Sequence, residues 1–204
     1  NIIKLNNVVL HNISITDKES VNRIIKEADF VFNLAAMISV PESIEKPKEC
    51  VDINILGLIN VLDACVKGGV RKLIHTSSAA IYGDNPVLPK KENLLPEPKS
   101  PYGVTKLDGE YYLNIYSENY GLKTTSLRYF NVYGPRQDPK SQYAAAIPIF
   151  IFRALKNMDI TIYGDGSQTR DFIYVKDIVK ANVLAAESNQ KTGLYNVANG
   201  SAIS

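Results

Sequence analysis

Tyr102 and Lys106 carry the residue types and spacing most suited to chemistry in this chain. Four residues is about one helical turn, so a helix starting near Pro101 places the phenol and the ammonium on one face. A lysine beside a phenol favours the phenolate and moves its pKa from near 10 toward neutrality. The hydroxyl-rich segment Thr76-Ser77-Ser78 ends an apolar run, and in a parallel sheet a strand end is where functional groups gather. A serine there can bridge the phenol to a substrate alcohol, giving a trio able to take a proton from an alcohol as its carbon is oxidised. Tyr–Lys pairs also occur as solvated helix faces, but of the 12 tyrosines only Tyr102 has a lysine four residues on.

The elements that must position this trio follow from hydrophobic pattern. Val8–Leu10 reads as a short strand. Thr16 and Glu19 form a capping-box signal for a helix burying Val21, Ile24 and Ile25. Residues 29–34 are a continuous apolar strand followed by the small pair Ala35-Ala36. Pro47 opens a helix to about Lys67, stopped by Gly68-Gly69, and Lys72–Thr76 is the next buried strand. A proline-rich loop (Pro86, Pro89, Pro96, Pro98, Pro101) leads to the Tyr102 helix, which ends at Gly121. Thr124–Phe130 is another strand. Beyond Asn131 the pattern is irregular, with a helix at 149–156, strands at 160–163 and 172–175, a turn at Asp165-Gly166, a helix at 177–187 and a strand at 194–197. Strands alternating with amphipathic helices predict an α/β fold with a parallel sheet covered on both faces.

With 204 residues, 45% of them hydrophobic, the chain can bury one substantial core. A net charge of +2, with no basic stripe, speaks against nucleic acid. The apolar run 144–152 is too short for a bilayer, so no membrane span is expected, nor is a metal site. Cys50 and Cys65 read as core residues, which fits a reducing cytoplasm. The sequence starts at Asn1 in strand-like residues and stops at Ser204 after a turn, and reads as part of something longer.

Six segments together carry a resemblance: Leu34-Ala35-Ala36; Asn54; Thr76-Ser77-Ser78-Ala79-Ala80-Ile81-Tyr82-Gly83; Ser100-Pro101-Tyr102-Gly103-Val104-Thr105-Lys106; Arg128-Tyr129-Phe130-Asn131-Val132-Tyr133-Gly134-Pro135-Arg136; and Arg170-Asp171-Phe172-Ile173-Tyr174-Val175. In this order they resemble the extended short-chain dehydrogenase/reductase family, and within it the NAD-dependent nucleotide-sugar 4-epimerases of the UDP-glucose type. The resemblance implies a doubly wound parallel Rossmann-type sheet, its first β-α-β unit missing, with a small α/β substrate lobe. Residues 1–130 would form the incomplete NAD-binding domain, 131–175 mainly the nucleotide-sugar lobe, and 176–204 the return to the sheet.

It further implies Tyr102 as general base, Lys106 as its electrostatic partner and a ribose ligand, and Ser78 as the bridge. The positive nicotinamide of bound NAD would depress the tyrosine further. Leu34, Ala35 and Ala36 would lie beneath the cofactor, or pack a helix tightly on the sheet. Asn54 would steady the cofactor-side loops, or satisfy buried backbone groups. Thr76 and Tyr129 would adjoin NAD, although a strand tyrosine is more often core, and Asn12 and Ile13 would lie near adenine. Asn131, Thr161, Tyr163 and Arg170 would hold the nucleotide sugar, Arg170 as a bidentate phosphate clamp or else paired with Asp171. Ser39 and Val40 would adjoin the sugar.

Three departures stand out: no glycine-rich loop, no second-strand acid to read the adenosine ribose, and Asn12 where the family usually has an acid. Related dehydratases and decarboxylases carry an acid just after the serine. Here Ala79 and Ala80 stand there, which favours C4 oxidation, rotation of the 4-keto sugar and return of the same hydride. The alternatives are a 4,6-dehydratase, a uronate epimerase, a reductase, or a non-catalytic NAD-binding module. A homodimer is implied through the helices from Pro47 and Tyr102, with Leu113 and Tyr116 facing a partner or the core.

Overall fold

The structure is a computed structural model that describes residues 6–139, 145–162 and 164–204. Parallel strands buried on both faces are near-continuous apolar runs, and the main sheet is built from such segments. It comprises β1 (Phe30–Asn33), β2 (Lys72–Ser78), β3 (Thr124–Tyr129) and β6 (Thr192–Val197), in the order β1-β2-β3-β6 and all parallel. The remaining strands, β4 (Asn131–Tyr133), β5 (Arg170–Tyr174) and β7 (Ala202–Ile203), form a smaller sheet. There β4 runs parallel and β7 antiparallel to β5. The last strand thus rejoins the small sheet after β6 has rejoined the large one.

Helices cover both faces of the main sheet. The helical run after β1 is α2 (Val40–Glu45), α3 (Pro47–Val51), a π-helical turn (Asp52–Leu56) and α4 (Gly57–Gly68). Together with α5 (Pro101–Tyr120) it covers one face, where Leu58, Leu62, Leu73 and Leu113 form a core with Val21 of α1 (Lys18–Ile25). The opposite face carries α7 (Val175–Glu187), with Ile74, Leu127, Ile178 and Val197 buried beneath it. Leu73 and Ile74, neighbours on β2, point to opposite cores as the period-2 pleat requires. Gly69 and Gly121 end α4 and α5 in the left-handed conformation, at φ 67° and 73°.

Several expectations change. Val8–Leu10 forms no strand; its side chains are exposed, and no described strand supplies the ladder its backbone would need. The cap of α1 is Asp17, accepting from the Ser20 amide at 3.2 Å, one residue later than the Thr16–Glu19 signal. The helix expected from Pro47 to Lys67 is interrupted by the π-helical turn, and α2 precedes it. Residues 160–162 form no strand; Arg153 of α6 (Ala146–Leu155) instead donates to the Asp159 carbonyl at 2.7 Å and the Thr161 hydroxyl at 3.3 Å. Tyr163 lies outside the described residues. Leu113 and Tyr116 are core residues of α5, because the face they share packs on α4. The outward stripe of the helix is Val104, Tyr111 and Ile115.

Candidate active site

The parallel register brings the C-terminal ends of β1, β2 and β3 to one edge of the sheet, and every element of the proposed chemistry starts there. Ser78 closes β2 and caps the following 3-10 turn, accepting from the Ala80 amide at 3.1 Å. On α5, Ser100 is the N-cap, accepting from the Gly103 amide at 3.1 Å, and Pro101 takes the first helical position. Tyr102 therefore sits in the first turn and Lys106 one turn on. Lys106 Nζ lies 5.8 Å from the Tyr102 ring centroid and donates to the Thr76 carbonyl at 2.7 Å.

The electrostatics revise the sequence expectation. Burial raises the Tyr102 phenol above its ordinary value; a hydrogen bond with Ser78 pulls it back, and the nearby Cys50 thiol adds to the rise. Burial lowers Lys106 to about 8. Desolvation thus dominates in the protein alone, and the phenol is raised, not depressed.

Asn54, at the middle of the π-helical turn, is buried and satisfies backbone groups. Its amide accepts from the Met37 amide at 2.7 Å and donates to the Met37 carbonyl at 3.1 Å, which pins the loop after β1. The same nitrogen donates to Thr105 of α5 at 3.0 Å. π-helical turns recur at functional sites, and here one aims a single side chain at a loop and a helix. In that loop Leu34 and Ala35 are exposed and Ala36 half-buried, so tight helix–sheet packing does not account for the small residues. Ser39 is buried as the cap of α2, accepting from the Glu42 amide at 3.1 Å, while Val40 is exposed.

Other residues are placed differently. The Tyr129 hydroxyl accepts from Asn182 of α7 and its ring packs in the core on that face, so Tyr129 is tied to the side of the sheet opposite α5. Asn131 spends a donor on the Asp171 carbonyl at 3.1 Å, linking β4 to β5. Arg170 is exposed and bonds the Thr169 carbonyl. Asp171 is not its partner, since that carboxylate accepts from the Asn199 and Gly200 amides at 2.8 Å each. Asn12 and Ile13 are exposed.

A buried network beneath Ser78 had no local signal in the sequence. Glu110, two turns beyond Tyr102, takes Arg128 of β3 in a bidentate pair, with Nε at 2.9 Å and Nη2 at 2.7 Å, and also accepts from the Ser77 hydroxyl. Arg128 continues to the Tyr82 hydroxyl at 2.8 Å, which donates to Asn196 of β6 at 2.7 Å. The signal available was a charged residue inside a strand otherwise buried, which requires a partner. His75 is another buried titratable group, 3% exposed. Its Nδ1 lies 3.3 Å from Asn33 Nδ2 and its Nε2 has no partner among the described residues; burial and then the Lys106 charge hold it well below the usual histidine range, hence neutral.

The chain belongs to the NAD dependent epimerase/dehydratase family, whose model matches residues 1–198. Among particular proteins, it is 39% identical over 173 residues to the UDP-glucose 4-epimerase of Mycolicibacterium smegmatis, covering 84% of this chain and 55% of that one. The UDP-N-acetylglucosamine 4-epimerase of Methanobrevibacter ruminantium, solved with UDP-N-acetylmuramic acid, superposes with a TM-score of 0.95 at 44% identity, over 98% of this chain and 64% of that one. The Thermus thermophilus UDP-glucose 4-epimerase, solved with NAD, gives 0.90 at 40% identity, over 98% and 66%. The chain spans about 60% of the length of the curated relatives it matches, 62% and 55% in two cases.

The residues present suit NAD. Lys106 uses one of its three N–H donors among the described residues, on Thr76, and the Thr76 hydroxyl is buried without a partner. Beside them lies the exposed small-residue loop 34–36. Leftover donors at a strand end, next to a loop that leaves room, fit the hydroxyls of a cofactor ribose.

Proposed function

We propose that this chain carries the proton-transfer site of an NAD-dependent nucleotide-sugar 4-epimerase acting on UDP-hexoses, N-acetylated forms included. The observation that carries this reading is Tyr102 in the first turn of α5 with the Lys106 ammonium 5.8 Å from its ring and Ser78, at the end of β2, counteracting the rise that burial imposes on the phenol. NAD, when bound, supplies the redox chemistry at C4 of the sugar. Tyr102 takes the 4-hydroxyl proton and returns it, Ser78 orients the sugar hydroxyl against the phenol, and Lys106 holds a ribose hydroxyl and lends positive charge. Ala79 and Ala80, half-buried in the 3-10 turn, place no acid at the position where elimination would draw on one. Asn131, Thr161, Tyr163 and Arg170 are assigned to the nucleotide sugar and residues 131–175 to its lobe, with Asn12 and Ile13 near the adenine.

The same reading includes a homodimer through α3–α4 and α5, whose exposed Val51, Leu56, Val104, Tyr111 and Ile115 remain available. It also includes residence in the reducing cytoplasm, in keeping with two free buried cysteines. No helix among the described residues is long and apolar enough to cross a membrane.

The test is incubation of the protein with NAD and UDP-glucose without added reductant. UDP-galactose, with no net change in NADH absorbance, is the expected product. A 4-keto-6-deoxy sugar would assign a dehydratase instead, conversion confined to a uronic acid a uronate epimerase, and NAD binding without turnover a non-catalytic module.

A further inference from the structure

The backbone of Tyr102 is gripped from two sides by buried hydroxyls. On the amide side, Ser43 Oγ accepts from Tyr102 N at 3.2 Å and donates to the Val40 carbonyl at 2.7 Å. Ser43 is completely buried, at 0% exposure. Tyr102 N–H is one of the first-turn donors that a helix leaves without an intrahelical partner. The next of them, on Gly103, is met by the helix's own cap at Ser100, whereas the one on Tyr102 is handed to a different element, α2. On the carbonyl side, Thr105 Oγ1 donates to Tyr102 O at 2.9 Å and accepts from Asn54 Nδ2 at 3.0 Å. Asn54 is bonded to both peptide groups of Met37. Both grips therefore lead to the same stretch of chain, residues 37–45, which carries Ser39 and Val40.

We propose that Ser43 is a positioning residue, fixing the Tyr102 phenol against Ser78 and, with Thr105, making the 37–45 segment and the tyrosine move as one body. This rests on the reading of Tyr102 as the general base. A helix N-terminus held only by its own cap frays most easily. One also fastened to a neighbouring segment holds its second residue in place, and an error on the order of 1 Å at a reacting group costs about a hundredfold in rate. The coupling has a functional consequence, because any ligand that orders residues 39–40 also orders the base.

A purely structural hydroxyl would contribute stability without touching the phenol, and that difference is measurable. In protein carrying ring-labelled tyrosine, the Tyr102 signal is assigned by its loss in Tyr102→Phe and titrated by NMR. Ser43→Ala, Thr105→Val and Thr105→Ser are compared with wild type, with Ser78→Ala marking a phenol that has lost its bridge. Ser43→Ala and Thr105→Val should move the titration upward toward Ser78→Ala, because the Ser78 bond holds it down. Thr105→Ser, which keeps the hydroxyl, should titrate as wild type. Turnover of UDP-glucose should fall about tenfold or more in kcat in the first two variants, with KM changed less than about twofold. A wild-type titration in both, with only the melting temperature lowered, overturns the proposal; if Ser43→Ala does not fold, Thr105→Val decides alone. Absence of turnover in wild type, with the phenol shifting as described, would remove the epimerase reading and leave the positioning role standing.

Discussion

Lys106 donates its ammonium proton to the Thr76 carbonyl at 2.7 Å, while the Tyr102 ring beside it lies 5.8 Å from Nζ. The lysine is thus fastened to the end of the sheet, with its charge over the phenol ring and not hydrogen-bonded to the hydroxyl. A hydrogen bond to the phenol would have favoured the phenolate directly. Burial drives Tyr102 up and Lys106 down. The protein by itself holds a neutral phenol next to a lysine whose pKa burial lowers to about 8.

The Lys106 shift has a signature in stability. Its pKa falls from 10.5 to about 8 through burial, so between those values the unfolded chain binds the proton and the folded chain does not. Stability from this residue therefore rises with pH across that window and is lost as pH falls through about 8. Cys65, pushed to about 12 by burial, works the other way above pH 9, so the comparison is with Lys106→Met. Urea unfolding from pH 8 to 10.5 should show wild type gaining on the variant, by at most about 3 kcal/mol. A flat difference would mean that Lys106 is not desolvated.

Glu110 and Arg128 are both nearly inaccessible and satisfy one another in two parallel bonds. Removing one partner leaves a buried charge unpaired, so Glu110→Ala should cost about 3–5 kcal/mol in chemical denaturation. Because Ser77 also bonds Glu110, the loss should extend to the strand end. Amide exchange at 76–78 should rise by more than the global destabilisation explains. Protection there that falls only in step with global stability would separate the ion pair from the site.

Gly109 lies where α5 crosses β2. A Cβ there would stand 2.9 Å from His75 Nε2 and 3.2 Å from Leu58 Cδ2, and the ring is too rigid to yield. Gly109→Ala should gain about 1 kcal/mol of helix propensity and lose about 1–3 kcal/mol to overpacking. A lower urea midpoint is expected; a raised one would show that His75 has room to turn.

Much of this architecture is legible from residue order because parallel strands are apolar runs and α5 begins with Ser100-Pro101, a cap and a preset dihedral. The Tyr102–Lys106 spacing needs nothing beyond helical geometry. What the pattern hides has physical causes. β4 is three residues long, too short for periodicity to register. α2 is six residues with Pro41 at its start, and reads as a turn. Asn54 gains its reach from a π-helical turn that no local propensity marks. Glu110 and Arg128 become partners only when α5 lies across β3, and Tyr129 reads as a site residue until α7 supplies Asn182 on the other face. Desolvation of Tyr102 and Lys106 depends on everything packed around them, and so reversed an expectation drawn from the pair alone.

Whether the Tyr102 hydroxyl moves the proton of a sugar alcohol is read most directly from a variant that lacks only that oxygen. Tyr102→Phe deletes that oxygen and keeps the ring, so calorimetric binding of UDP-glucose in the presence of NAD should stay within a few-fold of wild type. Its kcat for UDP-glucose to UDP-galactose should fall by about 10²–10⁴, the usual worth of a general base. Turnover in the variant within a few-fold of wild type would contradict the assignment.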